Sequence, residues 1–365
     1  MESGIIIIFD IFLYIFLFLL LRKTLDHKTI RRQDLLIGIA IMLTLCLFPL
    51  WAGDYFHYEE NYLDLIKGHT TNIEPIYYFV AKELSFSYFS FRLILWGASF
   101  LVVCFLYRRL RLREDLSLFI FFSTSIVTFA YARVSIAMTF LFFGFSLIVY
   151  PARRNLLSYF VGAVLMAVSY FFHQSALFGI ILCVISLLLY NMTKKRMVLL
   201  AFFSIMAFFF LQGRVEDFMM LDTGGDDALR VIDRAQRYGN EDAATSGIGE
   251  ILGNVLSRTN FYIVIFLYVL TLFKGSYYTL PRRIQCFATS TFLIIVVANF
   301  FLLDWGLNTY VFYYRFMNFS IIPMVVFLSY CYVKRIYPRI IKIICLIGIM
   351  SSLYTLLYSL FISFV

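Results

Sequence analysis

In a chain of 365 residues, 62% hydrophobic and only 15% charged, there are too few charges to cover a soluble globule, which needs about a quarter. The net charge of +9 does not point to nucleic acid, because the basic residues gather in short loops between apolar runs, the distribution that sets topology in a membrane. All six cysteines (Cys46, Cys104, Cys183, Cys286, Cys331 and Cys345) lie inside apolar runs, which leaves neither a disulfide framework nor a metal-ligand spacing.

The first apolar run, residues 4–21, is too long for a signal-peptide core and lacks a basic start, so it reads as a retained helix. Further runs near the ~20 residues that cross a bilayer predict helices over 35–51, 88–107, 117–131, 134–150, 156–172, 175–190, 197–212, 259–273, 285–303, 319–333 and 341–362. The expected fold class is all-α: one polytopic membrane domain over residues 1–365 with about twelve transmembrane helices. Two longer connections interrupt the pattern, 52–87 and 213–258. In the second, Leu229, Ile232 and Ala235 follow helical spacing between Gly224-Gly225 and Gly239-Asn240 and predict a short amphipathic helix on the membrane surface.

Loop charge alternates along the chain. Loops beginning at Arg22, Arg108, Arg153, Lys194, Lys274 and Lys334 hold 21 of the 31 basic residues. They contain only four acids: Asp26, Asp34, Glu114 and Asp115. The positive-inside rule makes these loops cytoplasmic and turns both termini outward.

Ionisable side chains within a membrane are expensive and mark function. Here they are Asp10, Arg92, Arg133, His173, Asp304 and Arg315, and on this topology every one falls toward the outer face. Helix length sharpens the point. Residues 117–150 supply about 51 Å of helix, whereas two crossings need about 60 Å, and 156–190 falls short by a similar margin. Basic loops pin the inner ends, so Arg133 and His173 should sit below the outer surface at the tips of two short hairpins. Charge at that depth is tolerated around a water-filled or protein-lined cavity, and the expectation is a polar chamber opening outward.

The first outer connection feeds this chamber. Gly53-Asp54-Tyr55-Phe56-His57-Tyr58 is acidic and aromatic. The apolar segment 73–84 opens with Glu74-Pro75, and proline suits the first turn of a helix. At this length the segment reads as re-entrant or interfacial. Carboxylates at Asp54 and Glu74 are suited to general-base work, and cationic side chains to holding an anionic leaving group. Tyr313-Tyr314-Arg315-Phe316 sets an arginine at an outer helix start, a place to grip phosphate oxygens in pairs. Arg258 and the other arginines of 213–258 are candidates for further contacts.

The ordered set Gly53-Asp54-Tyr55 with Tyr58, Glu74-Pro75, Ala132-Arg133-Val134-Ser135-Ile136-Ala137, His173-Gln174-Ser175-Ala176-Leu177 and Tyr314-Arg315-Phe316 resembles the EpsG-type branch of the Wzy polysaccharide polymerases. Val134 stands where a polar residue is common in that family, and the 213–258 loop carries none of its motifs. The resemblance implies a membrane glycosyltransferase similar to the GT-C class, in the bacterial cytoplasmic membrane with its site facing outward. It implies that oligosaccharide repeat units carried on undecaprenyl pyrophosphate are both donor and acceptor. A flippase and a chain-length regulator are the implied protein partners.

On this reading Arg133 and Arg315 take the donor pyrophosphate, with Arg92 and Arg258 as further substrate contacts. Asp54 or Glu74, or else His173, deprotonates the acceptor hydroxyl, and Tyr55, Tyr58 and Tyr314 contact sugar rings. No cofactor or metal is expected, because arginines take the place of a divalent ion. A flippase for lipid-linked oligosaccharide is the rival from another class, but it needs polar residues along the inner half of its path as well. A ligase or a transferase adding one sugar shares the architecture and differs in its product.

Overall fold

The apolar runs fold as helices, the conformation that satisfies every backbone hydrogen bond within one segment. A computed structural model describes residues 2–26, 30–68, 74–151, 156–190, 192–210, 248–300 and 316–362. Among them the helices are α1 (Glu2–Leu21), α2 (Arg32–Leu47) and α3 (Gly53–Ile66). The short α4 (Pro75–Phe79) runs on as a π turn through Val80–Leu84, and α5 is Tyr88–Arg109. Two close hairpins follow, α6 (Glu114–Tyr131) with α7 (Val134–Val149), and α8 (Leu156–Phe172) with α9 (Ala176–Leu189). The remainder are α10 (Lys194–Phe210), α11 (Ile248–Lys274), α12 (Arg282–Phe300), α13 (Ile321–Val333) and α14 (Pro338–Ile362). The amphipathic helix expected near 226–238 lies outside the described residues.

Among the described residues each of the twelve expected runs contains a helix, with α2 ending at Leu47 and α11 beginning eleven residues before its expected start at 259. Two helices among the described residues, Tyr88–Arg109 and Pro338–Phe361, are long and apolar enough to cross a membrane on length and composition. Val134–Val149, Leu156–Phe172 and Ala176–Leu189 are apolar but shorter, as the length argument for the hairpins anticipates, and so is Ile321–Val333, to which that argument did not extend. The structure therefore establishes an all-α fold with long apolar helices. One helix was not anticipated: α3, within the first long connection.

Helices α7 and α13 are buried on nearly every side, as helices apolar all round must be. Small residues let neighbours approach. A Cβ on Gly144 of α7 would stand 2.6 Å from the Gly162 carbonyl oxygen of α8, and one on Gly162 would stand 2.8 Å from that of Gly144. The outer helices turn large apolar side chains outward, among them Phe12, Phe160, Leu188 and Phe273, which suits a hydrocarbon surrounding.

The loops sort into two ends. At one, basic loops converge: Arg109 donates to Tyr150 O at 2.7 Å, Arg283 lies over the Tyr150 ring at 4.2 Å, and Arg282 lies over Tyr190 at 4.8 Å. Helices α5 and α13 also stop here in the same way. Arg111 and Arg335 take the left-handed conformation, with φ of 53° and 57°. Leu112 N–H then reaches back to Tyr107 O at 3.1 Å, and Ile336 N–H to Cys331 O at 2.8 Å. These are Schellman closures with arginine where glycine is the usual residue. At the other end lie the α6–α7 and α8–α9 turns, α4 and the start of α13.

Candidate active site

Between α6 and α7 the chain turns in two residues. Ala132 is extended, with φ −72° and ψ 123°, and Arg133 already has helical dihedrals as the residue capping α7. The guanidinium is thereby carried to the hairpin tip. Opposite it, proline at the first position of α4 holds Glu74 extended, with φ −61° and ψ 143°, because the proline ring disfavours helical dihedrals in the residue before it. The Glu74 carboxylate thus stands at the mouth of the short helix. It meets Arg133, with Nη1 and Oε2 2.9 Å apart. The side chains are 25% and 19% exposed, so the pair is sheltered yet reachable.

Tyr77, three residues beyond Glu74 and fully buried, fixes the pair from beneath. Its hydroxyl donates to Arg133 O at 3.2 Å, and the guanidinium lies 6.0 Å from its ring centre and 5.4 Å from that of Tyr58 on α3. Burial opposes charge on Arg133, but Tyr58, Glu74 and Tyr77 outweigh it and hold its pKa above the ordinary value. Burial, reinforced by Glu74, pushes the Tyr77 phenol well above its usual range, so it remains a donor.

The second hairpin arrives at the same helix. Phe172, the last residue of α8, packs edge-on against Tyr77 with ring centres 6.2 Å apart. His173 follows it, buried, with Nδ1 accepting from Ser175 N–H at 3.2 Å. A neutral imidazole there carries its proton on Nε2. In the first turn of α9, Phe178 meets Phe316 edge-on at 4.7 Å, which brings the start of the α13 segment to this end. Arg315, Tyr314 and Asp304 lie outside the described residues, as does the side chain of Asp54, whose backbone forms the first turn of α3.

Arg92 occupies a different setting from the one expected of a substrate contact. It is fully buried. Nε donates to Leu47 O at 2.9 Å, and Nη2 to Cys46 O at 2.6 Å and Ala130 O at 2.7 Å. The guanidinium lies 4.3 Å from the Trp96 ring centre and 5.1 Å from that of Tyr55. It therefore ties the ends of α2 and α6 together three residues before Arg133. Tyr55 is buried with it, and its carbonyl oxygen accepts from Tyr88 Oη at 2.8 Å. Arg258 lies inside α11, not in a loop, one turn before Tyr262, which donates to Asn299 Oδ1 at 3.0 Å. Asp10 is buried in α1. Tyr77 and Trp96 were not singled out from the sequence, although Tyr77 is readable as the residue one helical turn past Glu74-Pro75.

The model of the EpsG family matches residues 34–364, which includes Tyr55, Tyr58, Glu74, Tyr77, Arg92, Arg133 and His173. The chain belongs to the EpsG family. As a member it is a glycosyltransferase of Wzy type, a polymerase of polysaccharide repeat units whose substrates are lipid-linked oligosaccharides. No curated protein and no solved structure matches it. Among the described residues no group of three or more His, Cys, Asp or Glu is placed to hold a metal ion.

Proposed function

We propose that this polymerase crosses the bacterial cytoplasmic membrane about twelve times in a GT-C-like fold. The basic-loop end then faces the cytoplasm and the Arg133 end opens outward. The separation of the basic loops from the Arg133–Glu74 pair at opposite ends of the bundle supports that orientation. Outside the cell membrane no nucleotide sugars are at hand, so a donor has to arrive on a lipid.

In this reading the carrying observation is the 2.9 Å contact between Arg133 and Glu74, sheltered and aimed by Tyr77. A guanidinium in that place suits the diphosphate of a donor, because its paired N–H groups match phosphate oxygens. Arg315 joins it. Diphosphate binding draws Arg133 away from Glu74 and frees the carboxylate. The acceptor hydroxyl oxygen then attacks the anomeric carbon of the donor, and its proton passes to a carboxylate, Glu74 or Asp54. The bond from the anomeric carbon to the phosphate oxygen breaks, and the polyprenyl diphosphate leaves with the electron pair. Arginine charge stabilises that leaving group, the role a divalent ion fills in other transferases. Tyr58, beside Arg133, offers an aromatic face to a sugar ring. A flippase that delivers the repeat unit and a regulator of chain length are the partners this place in the membrane requires.

The test is the purified protein with a defined lipid-linked repeat unit, its products resolved by size. The wild type gives a ladder, and Arg133→Ala gives none at unchanged protein level. A ladder of near-normal length from Arg133→Ala would remove Arg133 from the reaction.

A further inference from the structure

At the basic end, away from the polymerase site, an open groove of about 580 Å³ lies between the end of α11 and the start of α14. Lys274, Arg335 and Arg339 line it together with Ser276 and Tyr337, and among the described residues no carboxylate does. A further cation comes from α10: the Lys194 ammonium stands 3.9 Å from where a Cβ on Gly275 would lie.

Two independent features indicate what the groove takes. Arg335 sits at the left-handed position that closes α13, and Tyr337 is also left-handed, with φ of 57° and 50°. Glycine is the low-cost residue in that conformation, yet an arginine stands at 335 and is among the residues that line the groove. The helices that meet there are also apolar outward. Phe266 and Phe273 on α11, and Ile343, Leu346 and Met350 on α14, are each about half exposed or more, and the two helices pack side by side. Cations at the head of an apolar helix pair match an amphiphile with an anionic head.

We propose that this groove binds the phosphate of an anionic phospholipid, with the acyl chains lying along α11 and α14. Guanidinium groups pair with phosphodiester oxygens, and basic pockets between helices at the cytoplasmic surface are a recurrent form of lipid recognition. A free phosphate ion would use the cations but not the apolar faces.

The test is native mass spectrometry of the full-length protein stripped of lipid, with phosphatidylglycerol or phosphatidylcholine added at equal concentration. The expected result is about tenfold greater retention of phosphatidylglycerol. Arg335→Gly should lose that preference while melting at a higher temperature in lipid-free detergent, since it relieves the left-handed arginine, and a damaged fold cannot give that combination. Lys274→Gln/Arg339→Gln should lose the preference as well. Arg22→Gln/Lys23→Gln/Arg31→Gln, a larger charge loss at the same end, should keep it. Equal retention of the two lipids, an undiminished preference in Arg335→Gly, loss in the Arg22 control, or displacement of the lipid by inorganic phosphate would each overturn the proposal.

Discussion

The Tyr77 hydroxyl donates to the Arg133 carbonyl oxygen at 3.2 Å, so a buried side chain of the short helix α4 is fastened to the backbone of the α6–α7 turn. This bond links the segment that carries Glu74 to the segment that carries Arg133, and Phe172 against the Tyr77 ring adds the second hairpin. The opposed charges hold their distance because one phenol spans both elements.

Tyr77→Phe keeps the ring contacts and removes the bond. The expected cost in stability is about 1 kcal/mol. The expected fall in polymerisation rate is larger in consequence, about ten- to a hundredfold, because a catalytic constellation tolerates little displacement. Melting temperature and the initial rate on a lipid-linked repeat unit measure the two separately.

Arg92 is predicted to act through architecture. Arg92→Lys keeps the charge but lacks the planar fork that spans carbonyl oxygens from both α2 and α6 and the guanidinium beside Tyr55 and Trp96, since the two cations are not interchangeable at such sites. A loss of about 3 kcal/mol or more is expected from a buried cation network broken in this way. The check is thermal unfolding in detergent: Arg92→Lys should melt well below Arg133→Ala, whose guanidinium is partly exposed.

Glycine substitutions should differ in sign with their surroundings. In Gly144→Ala the new Cβ meets backbone, 2.6 Å from Gly162 O, and overpacking of this kind costs about 1–3 kcal/mol. In Gly38→Ala the nearest atoms belong to the ends of the Leu21 and Leu17 side chains, at 3.3 and 3.4 Å, which can shift. There the alanine should be neutral or stabilising by up to about 1 kcal/mol. Paired melting curves of the two variants check both directions.

Much of this was legible in the sequence, for local reasons. Length of apolar runs and the position of arginines decide where helices begin and end, and Glu74-Pro75 announces α4. Helix α3 was missed because its inward stripe, Tyr55, Tyr58, Tyr62 and Leu65, is mostly tyrosine and is interrupted by Glu59 and Glu60. Such a stretch reads equally as an interfacial loop. What a single side chain touches was less accessible. Arg92 and Arg133 are both arginines toward the same end of the bundle. One is fully buried against carbonyls from α2 and α6, and the other meets a carboxylate fifty-nine residues away. That difference depends on how distant segments pack, which periodicity and spacing do not encode.

The affinity of lipid-free protein for undecaprenyl pyrophosphate, measured in wild type, Arg133→Ala and Glu74→Gln, tests most directly whether Arg133 holds the donor diphosphate in competition with Glu74. Arg133→Ala should bind at least about tenfold more weakly, the loss of one charge-assisted contact. Glu74→Gln should bind more tightly than wild type, because it releases the guanidinium and removes a negative charge, while polymerisation falls about 10²–10⁴-fold if the carboxylate takes the acceptor proton. Weaker binding in both variants, or unchanged affinity in Arg133→Ala, would contradict the account.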